Sequence, residues 1–447
     1  MKKSVLGTYG LQIANVIFSF FMSIAIARIL GASERGELVI FLTSTNFMST
    51  LLEFCLGSAI TYFIASGKLP IGETFNTVIY WTFVGLIISV ILVFAGPFLH
   101  LGQFLFSRDD TTLYIKTIFI LVTVLGVFNT LLAAFFSAKK LFKIINLLSL
   151  GVILATCLTY GVLWYLSRYG HQKYTSETIM LVTNVILIIK TITAVILYNK
   201  FVSIPASKKI LDRESLKSLF SLSSINYISN IVQFLTYRMD FWFVDYYAGN
   251  KTLGIYSLSA NLAQLFWMLP HSVGAVLFPN IASMDYEKAL SYTRMLCRMI
   301  FTFTCLMGIA GGITLGLLIP YIYGIEFSSA TKLFFILLLG ILPFSIKIII
   351  ASYYAGVKKN RIDMISSMIS FIVCLVLDII LIPKYGSIGA AIASVLAYTC
   401  NTVFMIFTFS QLTKSSLSSF LIIKKHDIQL LKEHLLQWRQ ARSHDPE

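Results

Sequence analysis

Val5 to Ile29 reads VLGTYGLQIANVIFSFFMSIAIARI, an unbroken apolar run with Lys2 and Lys3 just ahead of it. A helix needs about 20 such residues to cross the hydrocarbon core of a bilayer. A secretory h-region has only about 7–15 residues and ends at a small-residue cleavage site. This run is longer, and further apolar runs follow it, so it reads as a retained first membrane helix. Candidate spans fall near residues 5–29, 37–65, 76–102, 112–137, 144–167, 178–199, 218–246, 253–283, 296–323, 332–356, 362–382 and 387–412. The expected fold class is all-α and polytopic, with twelve transmembrane helices.

The composition agrees. Of 447 residues, 57% are hydrophobic and 12% charged, where a soluble domain carries about 25% charged residues. Mean hydropathy is +0.82. A soluble core of this size has too little polar surface to cover that much apolar material. The net charge of +15 does not gather on one soluble face. The cations sit between apolar runs, as topology determinants do, so no nucleic-acid partner is expected. The six cysteines all lie inside apolar runs, without a CxxC or Cys/His cluster. They read as buried thiols rather than a disulfide framework or a metal site. Neither a cofactor nor a catalytic group is expected.

With the N-terminus inside, Lys and Arg favour the cytoplasmic loops by roughly two to one. Both termini are therefore expected to be cytoplasmic. The longest loop, 201–217, carries Pro205, Lys208, Lys209, Asp212, Arg213 and Glu214. It reads as a cytoplasmic linker between an N-terminal lobe, 1–200, and a C-terminal lobe, 218–413, each of six helices. Residues 414–447 read as a basic amphipathic tail, either lying on the inner leaflet or simply solvated.

The two halves repeat. Gly31 and Gly36 bracket the first outer turn, and Gly249 and Gly254 recur at the same spacing after the seventh span. Lys139-Lys140 aligns with Lys358-Lys359, Arg168-Tyr169-Gly170 with Lys384-Tyr385-Gly386, and Asn184 with Asn401. Six is even, so the repeats run parallel, and transporters commonly place a substrate site between such halves. The expected arrangement is two pseudo-symmetric lobes around a central cavity.

Polar residues recur at helical spacing inside the spans. Thr8, Gln12, Asn15 and Ser19 share one face of the first span. Their counterparts in the second half are Asn226, Asn230, Gln233 and Tyr237, and that stripe continues to Asp240. Thr43, Asn46, Thr50 and Glu53 repeat as Asn261, Gln264, Met268 and His271. Any single member is explained by interhelical hydrogen bonding, worth about 0.6–2 kcal/mol a pair. Four stripes together point to a wet face.

Ionisable groups are sharper, because a charge at the bilayer centre costs about 2.5–3.5 kcal/mol. Glu53, His271 and Asp240 are the candidates for ion coupling. A hydrogen-bonded neutral acid at Glu53 and a backbone contact at His271, after Pro270, are the plainer alternatives. Lys347, Lys190 and Arg238 are the candidates for a substrate phosphate, since ammonium and guanidinium groups both bind it well. Arg238 also stands close to Asp240, so a local ion pair competes, and Lys190 has Asp378 or Glu53 as alternative partners.

Several stretches carry a family likeness. Ala27-Arg28-Ile29-Leu30-Gly31 resembles a signature of bacterial polysaccharide-unit flippases, as do Tyr237-Arg238-Met239-Asp240, Leu253-Gly254-Ile255-Tyr256-Ser257 and Leu277-Phe278-Pro279. Ile382-Pro383-Lys384-Tyr385-Gly386, then Ile388-Gly389-Ala390-Ala391, is the strongest. Residues 1–413 thereby resemble the oligosaccharide-lipid branch of the multidrug/oligosaccharidyl-lipid/polysaccharide exporter superfamily. The resemblance implies a flippase for an undecaprenyl-diphosphate-linked oligosaccharide, an O-antigen or capsule repeat unit of the lipopolysaccharide or capsule pathway. It implies alternating access driven by H+ or Na+, with a polysaccharide polymerase and chain-length machinery as partners. A multidrug antiporter of the same architecture is the alternative. An enzyme is disfavoured, because no loop exceeds about 18 residues and no triad or phosphate loop is present.

Overall fold

The computed structural model describes residues 2–96, 102–106, 111–202 and 209–421. Among these the chain is helical with no strand. The helices are α1 (Lys2–Glu53), α2 (Leu56–Ala65), α3 (Ile71–Ala95), α4 (Gly102–Phe106), α5 (Leu113–Ala138), α6 (Phe142–Tyr169) and α7 (Ser176–Phe201). Then come α8 (Arg213–Gln264), α9 (Met268–Ile281), α10 (Tyr286–Tyr323), α11 (Ala330–Gly356), α12 (Asn360–Tyr385) and α13 (Ser387–Thr413). Among the described residues, ten helical stretches are long and apolar enough to cross a membrane. Two of them, Ile17–Glu53 and Arg213–Ile281, hold 37 and 69 residues, and the twelve-span reading counts the limbs of each separately.

The limbs meet at glycines. Gly31 (φ 71, ψ −173) interrupts α1, and Gly249 (φ 79, ψ 167) interrupts α8. That combination is open essentially to glycine alone. The two breaks fall at matching positions of the two halves, so the repeat extends to backbone conformation. A second turn repeats with it. Lys140 and Lys358 are both left-handed. The N–H groups of Lys139, Lys140 and Leu141 bond to Phe135, Ser137 and Phe136, and those of Val357, Lys358 and Lys359 to Tyr353, Ala355 and Tyr354. The backbone thus pairs Lys140 with Lys358, one place off the pairing that the sequence suggests.

Other boundaries differ from expectation. The expected span 37–65 breaks at Phe54 and Cys55, both at positive φ, which separates α2 from α1. The expected span 296–323 begins earlier, at Tyr286. Its first turns are polar, so hydropathy does not register them. They are held by Arg294, which donates to Ser415, and by Arg298, which donates to the Ser419 carbonyl at 3.1 Å. Within 201–217, α7 ends at Phe201 and α8 starts at Arg213. Residues 203–208, with Pro205 and Lys208, lie outside the described residues, as does the tail from 422. Asp212 opens α8, and its hydrogen bond with Ser215 holds its carboxyl below the usual range.

The chain forms two compact units, Met1–Ser257 with Pro320–Ser328, and Leu258–Ile319 with Ser329–Glu447. In the first, α5 lies at the centre. Leu131, Phe135 and Phe136 pack with Leu52, Leu56 and Phe75, and Phe75 stacks on Tyr198 at 4.5 Å. In the second, α11 is the central helix, with Ile346, Ile349, Tyr353 and Tyr354 packed against Leu277, Cys297, Met405 and Phe409. α5 and α11 are repeat counterparts.

Also within the first unit, the turns that follow Gly31 and Gly249 touch backbone to backbone. A Cβ on Gly36 would overlap the carbonyl of Asn250, and one on Gly254 the carbonyl of Ala32. Gly36→Ala or Gly254→Ala should therefore destabilise by about 3 kcal/mol or more, since neither backbone can yield locally. Gly151→Ala, where a Cβ meets open space, should stabilise its helix by roughly 0.5–1 kcal/mol. Unfolding midpoints of the three variants in detergent check this, and equal midpoints would refute the contact.

Candidate functional site

Hydroxyls inside a membrane helix need an acceptor, and here many take the carbonyl one turn back. Thr50, Thr61, Thr82, Thr130 and Thr236 each donate to their i−4 carbonyl at 2.7–3.1 Å. The polar residues that reach across helices are the informative ones. In the first unit they join the second limb of α1, and the break that follows it, to the first limb of α8. Tyr227 donates to the Leu51 carbonyl at 3.1 Å, Asn230 to the Cys55 sulfur at 3.2 Å, and Trp242 to Ser44 at 3.0 Å. Phe47 stacks on Phe234 at 5.5 Å, and Phe54 lies 4.2 Å from Tyr227.

These contacts bring together residues that the stripes singled out separately. Asn46 is exposed and Glu53 half-buried on the α1 side. Asn230 is exposed on the α8 side, and Gln233 donates to Tyr237 at 3.2 Å. The result is one polar seam on two adjoining helices, carrying amides, a phenol and a carboxyl. The side chains of Thr8, Gln12, Asn15 and Asn226 lie outside the described residues.

Farther along the same helices the charges are engaged. The Arg238 guanidinium lies over the Phe241 ring at 4.9 Å. Asp240 is buried and accepts from Tyr256. Arg35, in the stretch between Gly31 and Gly36, is 4% exposed. It donates to the Gly254 carbonyl and to Ser257 at 2.8 Å, and lies 6.0 Å from the Phe327 ring. Only its place between Gly31 and Gly36 could have hinted at this.

Lys190, on α7, is half-buried in a cleft of about 320 Å3 lined mainly by apolar groups such as Leu148, Val152 and Ile186, with Thr193 beside them. It has no hydrogen bond or ion pair among the described residues. In the second unit Lys347 is 3% exposed and pairs with Asp363 at 2.9 Å. Its ammonium also lies 5.4 Å from the Phe344 ring. Asn261 and His271 are exposed and Gln264 is half-buried. Gln264 ends α8 just before the turn where Trp267 donates to the Ile341 carbonyl at 3.1 Å. Asp378 is buried and accepts from Cys374 at 3.4 Å. The six cysteines are free. No group of three His, Cys, Asp or Glu placed to hold a metal occurs among the described residues.

Residues 1–285 match the family described as polysaccharide biosynthesis protein. The chain belongs to that family. This agrees with the flippase-family resemblance of the glycine and Tyr-Arg-Met-Asp motifs. A curated relative, the probable flippase AglR of Haloferax volcanii, is 25% identical over 201 residues, 43% of this chain and 41% of AglR. The chain thus aligns with about two-fifths of that relative's length. Among solved structures, the lipid II flippase MurJ in an inward closed conformation superposes with a TM-score of 0.67 at 18% identity. It covers 98% of this chain and 93% of its own. An inward-facing multidrug transporter of the MATE family gives 0.62 at 13% identity, over 89% of this chain and 95% of its own. These likenesses show the fold, which the chain shares with both transporters.

The Lys347–Asp363 pair is testable directly. Removing one partner strands a buried charge, so Lys347→Met should destabilise, by less than the ~3–5 kcal/mol of a fully buried pair because Asp363 is partly exposed. In a double-mutant cycle with Asp363→Asn the second change should recover about 1–2 kcal/mol. Strictly additive losses in unfolding midpoint would refute the pair.

Proposed function

We propose that this protein is a flippase that moves a polyprenyl-diphosphate-linked oligosaccharide from the inner to the outer leaflet by alternating access. The cargo is an undecaprenyl-linked O-antigen or capsule repeat unit. Membership of the polysaccharide biosynthesis family carries the reading, and the likeness to AglR, a probable flippase by name, supports it. In this reading the chain crosses the bacterial inner membrane twelve times, with both termini cytoplasmic and six spans in each of 1–200 and 218–413. The lengths of α1 and α8 support the count. A helix of 52 residues is about 78 Å long at 1.5 Å per residue, more than twice the ~30 Å hydrocarbon core. Each also breaks at a glycine near the end of its first limb.

The roles divide by chemistry. The amides of Asn46, Asn230 and Gln233 and the Tyr237 phenol suit sugar hydroxyls, and Asn261 and Gln264 offer the same groups in the second unit. Glu53 exchanges the coupling proton or sodium ion, with Asp240 and His271 as further candidates. For the diphosphate, Lys190 takes precedence over Lys347 and Arg238. Lys347 is already neutralised by Asp363, and Arg238 rests on Phe241. A polysaccharide polymerase and chain-length machinery downstream complete the reading, in which the protein itself makes and breaks no bond.

A cation-coupled multidrug antiporter is the second reading. The MATE-like fold and the half-buried Glu53 favour it. Reconstitution separates the two. Proteoliposomes should flip a diphosphate-linked oligosaccharide lipid and leave a cationic dye inside, and dye efflux without lipid flipping would replace the first reading by the second. In cells, Lys190→Gln should lower surface polysaccharide about tenfold, the scale of one lost charge-assisted contact, at unchanged membrane levels of the protein. Normal surface glycan in that variant would remove Lys190 from the phosphate site.

A further inference from the structure

One cleft of the first unit has no part in the proposed transport chemistry. It measures about 520 Å3 and lies at the end of the spans, between the first limb of α1 and the last turns of α6. Phe21, Ile24 and Gly161 form its apolar wall, and Arg28, Arg168 and Trp164 its rim. No atom lies within 4 Å of where a Gly161 Cβ would stand, so the wall is open for a chain to lie against.

The two cations are held differently. Arg28 donates from Nε to the Ile322 carbonyl at 2.8 Å and from a second nitrogen to Tyr321, at the end of α10. Those bonds fix the guanidinium and leave some of its five donors free, and the residue stays exposed. Arg168, in the last turn of α6, is exposed and has no hydrogen bond or ion pair among the described residues. Glu326, the carboxylate on the adjoining turn, accepts from the Ala32 N–H at 3.2 Å.

The depth in the membrane is set by aromatic residues. Trp164, Tyr165 and Tyr169 are all exposed, and the two tyrosine rings lie 4.9 Å apart. Exposed Trp and Tyr at a span end mark the headgroup level of a bilayer. Two guanidiniums at headgroup level, above an apolar wall that runs toward the hydrocarbon, match a phosphate attached to an acyl chain. We propose that this cleft binds the phosphate of an anionic membrane lipid, with the chain lying along Phe21, Ile24 and Gly161. A soluble phosphate has the same charge but no use for the apolar wall.

Trp164 reports on the site. The full-length protein in detergent is titrated with brominated phosphatidylglycerol, and the quenching absent from Trp164→Phe is taken as the signal. That signal should saturate at about tenfold lower concentration with phosphatidylglycerol than with brominated phosphatidylcholine, whose ammonium the arginines disfavour. Arg168→Gln should weaken it about tenfold. This residue anchors nothing else, so the variant should fold, whereas Arg28→Gln also loses the contacts to α10. Millimolar inorganic phosphate should leave the signal unchanged. Displacement by inorganic phosphate would make this a free-anion site, and equal saturation by both lipids, or no effect of Arg168→Gln, would remove the site altogether.

Discussion

The close approach of two backbones is the constraint on which the first unit depends. Gly36 meets Asn250 and Gly254 meets Ala32. Ala32 and Asn250 are repeat counterparts, and so are Gly36 and Gly254, so the crossing reads the same from either side. Lipid supplies no hydrophobic drive to bring helices together, and small residues that permit backbone contact take its place. Arg35 then fastens the crossing by donating to the Gly254 carbonyl and to Ser257. Because the turns are pinned, the limbs beyond them must run together. Trp242, Tyr227 and Asn230 then bond across from one side to the other. The polar seam exists because the glycines set its helices side by side.

The rest of the chemistry follows from what lipid does to a polar group. Hydroxyls fold back onto their own helix and vanish as sites. Amides that bridge helices are satisfied and hold the limbs in register. Charges that survive inside the spans must be shielded by a partner, as Lys347 is by Asp363, or sit where a ligand or water completes them.

Much of this was legible in the sequence, and for a definite reason. The length of an apolar run decides whether a helix can cross the bilayer, and hydropathy reads that length directly. A helical period reports a face, which is why Asn46, Glu53, Asn230 and Gln233 could be grouped before their helices were known to adjoin. The repeat was legible because Gly31 and Gly249 need a conformation other residues avoid. What stayed hidden depends on partners distant in sequence. Nothing local at Phe54 and Cys55 marks a break, since neither residue favours positive φ. Nothing local at Arg294 marks a helix, because its partner Ser415 lies beyond the last span. Asp363, at the start of the expected span 362–382, shows no partner until α11 and α12 are placed together.

The repeat is also unequal in an instructive way. Its scaffold positions are conserved between halves in kind: glycine for glycine at the crossing, lysine for lysine at the left-handed turns of Lys140 and Lys358, one central helix for another. Its charged positions are not. The counterpart of Arg35 is Leu253, which is fully buried. The counterpart of Lys347 is Asn129, which donates to Thr191 at 2.6 Å. A symmetric pair of cations would repel across any shared space and cost desolvation twice. One half keeping the charge while the other keeps a neutral hydrogen bond leaves the geometry duplicated and the electrostatics single.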